Sequence, residues 1–173
     1  ADLDAAAKAA FWGIFGNQGE VCSASSRLLA HRDIRPALTK KLVEMANQMK
    51  VGDPLDPDSQ MGALVNAPQL EKVLAYIEAG KQAGARLVAG GARVMDGDLA
   101  KGYFVRPTIF DKVSPEMSIA QDEIFGPVLS VMEFSDEAEA IELANSTPYG
   151  LVAAVFTADV KRAHRVAQRV QAG

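Results

Sequence analysis

Amphipathic stretches with a helical period alternate along this sequence with short apolar runs of strand length, and that alternation restricts the folds open to it. In residues 2–15, Leu3, Ala6, Ala7, Ala10, Phe11 and Ile14 keep to one stripe, with Asp2 or Asp4 placed to cap a helix. Ile34, Leu38, Leu42, Met45 and Met49 recur at intervals of 4, 4, 3 and 4 residues, which predicts a helix over 34–49 with Asp33 as its cap. Further helices are predicted over 67–83, with Pro68 in the first turn, over 136–145, capped by Ser135, and over 159–171, with Val160, Ala163, Val166 and Val170 inward. Strand-like segments fall at 24–31, 86–89 and 128–134, and the apolar run Leu151 to Phe156 is expected to be a buried strand. Gly52-Asp53-Pro54-Leu55-Asp56-Pro57-Asp58 is turn chemistry, and a polar loop leads from Gly90-Gly91 to 104–110. Strands that alternate with helices need crossover connections. The expected fold class is therefore α/β, one layered domain with a mainly parallel sheet and helices on both faces.

Composition removes several functional classes. The chain has 173 residues, 49% of them hydrophobic, which excludes intrinsic disorder. Its longest strictly apolar run is six residues, far short of a membrane span, so no membrane partner is expected. The net charge is −4, with a net positive stretch in the last twenty residues and a negative balance over the rest, which does not suit a nucleic-acid binder. One cysteine excludes an internal disulfide and fits a reducing compartment, with the cytoplasm as the default location. Residues 1–4 lack the features of a signal peptide and include no initiating Met, so the chain is expected to be processed or, the preferred reading, cut from something longer.

Two segments can carry chemistry. Cys22 follows Gly16-Asn17-Gln18-Gly19-Glu20-Val21 on a turn between a helix and a strand, where backbone N–H groups can hold an oxyanion beside a reachable thiol. A lone cysteine is more commonly a buried inert thiol, and this pattern alone leaves both readings open. Asp122-Glu123-Ile124-Phe125-Gly126-Pro127-Val128 puts two acids and an aromatic on a rigid turn entering a strand. A carboxylate there can accept hydrogen bonds from a sugar diol and the aromatic can pack on a flat ring; a solvated turn with a core Phe is the plainer alternative. Other patterns fail. Cys22, His31 and His164 lack zinc-ligand spacing, so no metal is expected, and Gly13, Gly16 and Gly19 do not make a dinucleotide fingerprint.

Taken together, the two segments resemble a known family. Phe15-Gly16-Asn17-Gln18-Gly19-Glu20-Val21-Cys22-Ser23-Ala24 is similar to the cysteine active-site signature of aldehyde dehydrogenases. Glu123-Ile124-Phe125-Gly126-Pro127-Val128, about a hundred residues later, resembles that family's second cofactor-contacting motif. Met61-Gly62-Ala63-Leu64-Val65, Gly102-Tyr103-Phe104-Val105-Arg106-Pro107-Thr108 and Ala144-Asn145-Ser146-Thr147-Pro148-Tyr149-Gly150-Leu151 agree, and the resemblance covers the whole chain.

The resemblance implies oxidation of a small-molecule aldehyde to a carboxylic acid with NAD or NADP, through a thiohemiacetal and a thioester on Cys22. Glu123 would bind the nicotinamide ribose hydroxyls, Phe125 would help fix the ring, Gln69 and Lys72 would approach the same ribose, and Asn17 would shape the loop that carries the nucleophile. Trp12, Phe15, Val21 and Ser23 flank Cys22 and could line its tunnel. The family's general-base glutamate, oxyanion asparagine and dinucleotide domain would lie upstream of Ala1, and its oligomerisation strand downstream of Gly173. Residues 1–173 are thus expected to be a catalytic-domain segment, inactive alone, with most of the cofactor site outside the chain, taken from a homodimer or homotetramer. Within the family the sequence looks nearest to aminoaldehyde dehydrogenases, such as those acting on γ-glutamyl-aminobutyraldehyde or betaine aldehyde. Two other readings are a non-catalytic relative of the same fold, which would be expected to lose Cys22, and a cysteine hydrolase, which would need His31 or His164 beside it.

Overall fold

The computed structural model describes residues 2–173. The helical stripes of the sequence form α1 (Leu3–Phe15), α2 (Arg35–Gln48), α3 (Ala67–Gln82), α5 (Glu137–Ala144) and α6 (Val160–Ala167), and a single turn not expected from the sequence forms α4 (Ser118–Gln121). The apolar runs form β1 (Arg27–His31), β2 (Arg86–Ala89), β3 (Thr108–Asp111) and β4 (Val128–Phe134). Helix starts follow local chemistry: the Asp2 carboxylate accepts from Asp4 N and Ala5 N, and Asn66 Oδ1 accepts from Gln69 N. Asp33 does not cap α2. Ile34 stands at that position without a side-chain cap, and Pro36 in the first turn has no N–H to be capped. For α5 the cap is Asp136, not Ser135, while the Ser135 N–H donates to the Glu139 carboxylate.

The four strands run in the order β1-β4-β3-β2. β1 pairs parallel with β4, β4 pairs parallel with β3, and only β2 runs antiparallel, against β3. The period of two in β4 then fixes the two cores. Leu129 and Val131 face α1 and α2 with Ile14, Phe15, Leu38 and Leu42. Val128 and Met132 face α3 and α4 with Val73, Ile77 and Ile119. Ser130, buried on the second face, donates to Ile119 O, so its hydroxyl is satisfied.

A charged fork ties the layers together. Arg35, at the start of α2, donates to Asp111 Oδ1 at the end of β3 (2.5 Å) and to Glu133 Oε2 near the end of β4 (2.6 Å). Arg86 of β2 reaches the other Asp111 oxygen at 2.6 Å. Burial alone would raise the Asp111 carboxyl, whose side chain is 0% exposed, but Arg35, the Lys112 N–H and Arg86 outweigh it and hold the group below the ordinary carboxylate value.

The expected buried strand at 151–156 is not formed. Leu151 is 60% exposed and Phe156 50%, and the segment pairs with no strand among the described residues. A strand is stable only where its backbone groups find a partner, and β1, at one edge of the sheet, ends the ladder. Helix α6 is likewise shorter than expected, ending at Ala167. Val160 is 68% exposed, and Ala163, Val166 and Val170 are only half-buried. No helix among the described residues is long and apolar enough to cross a membrane.

Candidate active site

The chain leaves α1 through three consecutive left-handed residues, Asn17 (φ 49°), Gln18 (φ 57°) and Gly19 (φ 72°). For the two with side chains this conformation costs about 1–2 kcal/mol each, so it persists only where neighbours enforce it. Here they do. Glu20 N donates to Asn17 O and Asn17 Nδ2 donates to Glu20 O, closing the loop on itself. Gly62 N donates to Gln18 Oε1 (3.4 Å) and Val65 N to Glu20 Oε1 (3.2 Å), which ties the loop to the segment leading into α3. A turn closed by Ala24 N and Val21 O follows, and Ser25 N returns to Gly13 O. Cys22 sits on that turn, exposed, and its N–H donates to no acceptor among the described residues. Trp12, Val21 and Ser23 are exposed as well. Phe15 is fully buried in the core under α1 and cannot line a tunnel.

The second segment is held from α3. Gln69 Nε2 donates to both Ile124 O (3.0 Å) and Phe125 O (2.7 Å). Lys72 Nζ donates to Glu123 O (2.8 Å), and Tyr76 OH to Asp122 Oδ2 (3.2 Å). Burial, with the Asp122 charge adding, pushes the Tyr76 phenol up and keeps it a donor. Phe125 is half-buried with φ 58°, another left-handed non-glycine residue. Glu123 is exposed, and its carboxylate accepts no hydrogen bond among the described residues. Gln18, Glu20 and Tyr76 were not singled out from sequence. Tyr76 was open to discovery, because 69, 72, 73 and 76 share one helical face.

The two segments meet. A Cβ placed on Gly19 would stand 2.2 Å from Gly126 O, and one on Gly126 would stand 2.4 Å from Val73 Cγ2. The Cys22 loop, the 122–126 turn and α3 therefore stack in direct contact. Both segments precede their strands, so they gather at the amino ends of β1 and β4; open parallel sheets more commonly use the carboxyl ends. His31 closes β1 at the opposite end, paired in register with Phe134, and its Nε2 lies 2.9 Å from Ser135 O. Neither that position nor α6, which carries His164, offers Cys22 a histidine as a partner within its own loop. Among the described residues no group of three or more His, Cys, Asp or Glu could hold a metal ion.

A model of the aldehyde dehydrogenase family matches residues 1–173. The chain belongs to the aldehyde dehydrogenase family. Betaine aldehyde dehydrogenase of Brucella anthropi is 49% identical over 173 residues, which are all of this chain and 36% of that protein. The structure of an indole-3-acetaldehyde dehydrogenase complexed with NAD+ superposes with a TM-score of 0.95 at 51% identity, over 99% of this chain and 34% of that one. A betaine aldehyde dehydrogenase from Staphylococcus aureus in complex with NAD+, a point mutant that carries a BME-modified cysteine, gives a TM-score of 0.97 at 37% identity, over 99% and 35%. The chain thus spans about a third of the length of these aldehyde dehydrogenases. Their fold is the mixed, mostly parallel sheet with helices described above.

Proposed function

We propose that this chain supplies the nucleophile and one wall of the cofactor cleft for the oxidation of an aldehyde to a carboxylic acid with NAD or NADP. The observation that carries the reading is the Cys22 loop: an exposed thiol beside an uncommitted backbone N–H, on a loop whose left-handed run is fixed from both sides. The Cys22 thiol gives up its proton to solvent, the thiolate adds to the carbonyl carbon, the π electrons move to oxygen, and the Cys22 N–H donates to the oxygen that becomes negative. NAD+ or NADP+, when bound, would supply the acceptor for the hydride lost from the thiohemiacetal carbon, and Cys22 would then carry a thioester. Water then breaks the C–S bond, releasing the acid and restoring the thiol.

Glu123 fits the cofactor's ribose, because an exposed carboxylate without protein donors can accept from both hydroxyls of a diol. Phe125, half-buried on the same fixed turn, supplies an apolar face for the ring. Asn17 shapes the loop through its bond to Glu20 O. The base that activates water and most of the dinucleotide site are assigned to residues outside 1–173. This segment by itself is therefore expected to oxidise no aldehyde. The relatives' names share the aldehyde and differ in the rest of the molecule, betaine in one and indole in another. We assign the shared group to this chain and an aminoaldehyde as the first substrate to assay.

In the complete dehydrogenase, Cys22→Ala should abolish aldehyde oxidation while leaving NAD binding intact. Glu123→Gln should leave Cys22 open to alkylation but slow turnover, since a loosely held nicotinamide loses alignment. Substantial aldehyde oxidation by Cys22→Ala would refute the nucleophile, and unchanged kinetics in Glu123→Gln would remove the ribose contact.

A further inference from the structure

We infer that Gln69 is a positioning residue that sets the mobility and reactivity of the Cys22 loop, acting through the 122–126 turn. The inference rests on the reading of Cys22 as the nucleophile, but its geometry is independent of that reading. Both donors of the Gln69 side-chain amide lie on one nitrogen, and that nitrogen serves two consecutive carbonyls, Ile124 O and Phe125 O. Those carbonyls flank the residue with φ 58°, a conformation that relaxes unless it is held. The next residue is Gly126, whose Cα lies so near Val73 that a Cβ would overlap Cγ2. On the other side of Gly126, its carbonyl abuts Gly19. Gly19 is itself the last of the three left-handed residues that aim Cys22.

A shift of the 124–126 backbone therefore has no slack to absorb it before it reaches the nucleophile loop. The other ties of that loop, at Gly62 N and Val65 N, come from the lead-in to the same helix. Lys72 and Tyr76 add contacts to Glu123 O and Asp122, but at the outer end of the turn, away from Gly126. Gln69 alone among the three side chains holds the part of the turn that touches the loop. In such an arrangement the cofactor-facing turn and the thiol move as one body, so ordering the turn also orders Cys22.

The test uses the full chain and reads two signals that do not depend on turnover. Gln69→Met keeps the length of the side chain and removes both donors. Amide hydrogen exchange should then rise about tenfold at 122–127 and also at 17–23, with β4 and α2 unchanged, since opening is governed by local stability. Cys22 is the single cysteine, so iodoacetamide labelling reports one site; its rate should rise about threefold as the loop opens. Gln69→Lys, which restores N–H donors at similar reach, should return both signals to within about twofold of the native chain. Faster exchange confined to 122–127 would overturn the inference, as would an unchanged alkylation rate in Gln69→Met. A rise spread over α3 and both cores would do the same, by showing simple unfolding. If Cys22→Ala in the complete dehydrogenase retained activity while the exchange pattern held, the proposed reaction would fall and the coupling would stand.

Discussion

Two apolar segments of nearly equal length meet opposite fates in this chain. β4 (Val128–Phe134) has a parallel strand on each side and a helical layer on each face, and its first five residues are buried. Residues 151–156 are as apolar, yet four of the six side chains are large hydrophobics lying in solvent. The difference lies in what surrounds them and not in composition. Burying one such side chain is worth about 1.5–3 kcal/mol, but the gain is realised only where the backbone also finds a ladder. Apolar patterning reports that a segment needs cover; it does not say which residues provide it.

The sharpest way to break the comparison is to remove the partners of the covered side. Asp111→Ala should cost about 3–5 kcal/mol, read from urea unfolding, because it leaves Arg35 half-satisfied beneath the sheet. Acid provides the same probe without mutation. The folded Asp111 carboxyl lies below its unfolded value near 3.9, so its contribution is complete above that pH and is lost as pH falls through the folded value. The native chain should lose stability steeply below about pH 4, and the Asp111→Ala chain should show a shallower acid limb. Equal acid limbs would remove the fork from the account.

Leu129→Ala, at a 0% exposed position in β4, should cost about 2–5 kcal/mol by the same measurement. Leu151→Ser, on the uncovered segment, should stay within about 0.5 kcal/mol. A large loss at 151 would mean that the segment is packed in solution. Hydrogen exchange offers the finest comparison: amides of β4 should exchange only with global unfolding, whereas those of 151–156 should exchange near the rate of free peptide.

Much of the fold was legible because each amphipathic stripe encodes its own partner face. The stripes over 3–15, 35–48 and 67–82, and the runs at 86–89 and 128–134, state which side goes inward, and local caps such as Asp2 mark where they begin. The failures have a common cause. Val160, Ala163, Val166 and the 151–156 run state an inward side too, but the layer they would meet is not among the described residues. The α5 start shows a different limit, since Ser135 and Asp136 are both capping residues and only backbone geometry selects Asp136; at α2 the cap position falls on Ile34, one residue past Asp33. At the candidate site, the residue types of Cys22 and Glu123 were visible in the motifs, and the contact of the two segments at Gly19 and Gly126 was not. A close approach between two glycines leaves no mark in a single sequence beyond the glycines themselves.

For laboratory evolution, the left-handed run at Asn17, Gln18 and Gly19 separates positions that tolerate diversity from those that do not. A random library across 16–20 would consist mostly of chains with a misdirected thiol. β-Branched residues avoid φ near +50°, and any side chain at 19 collides with a carbonyl that cannot retreat from Val73. Trp12 and Val21 carry no such restriction; both side chains are exposed and neither residue has a left-handed φ. Side-chain diversity near the thiol belongs at those two positions, with the loop between them left untouched.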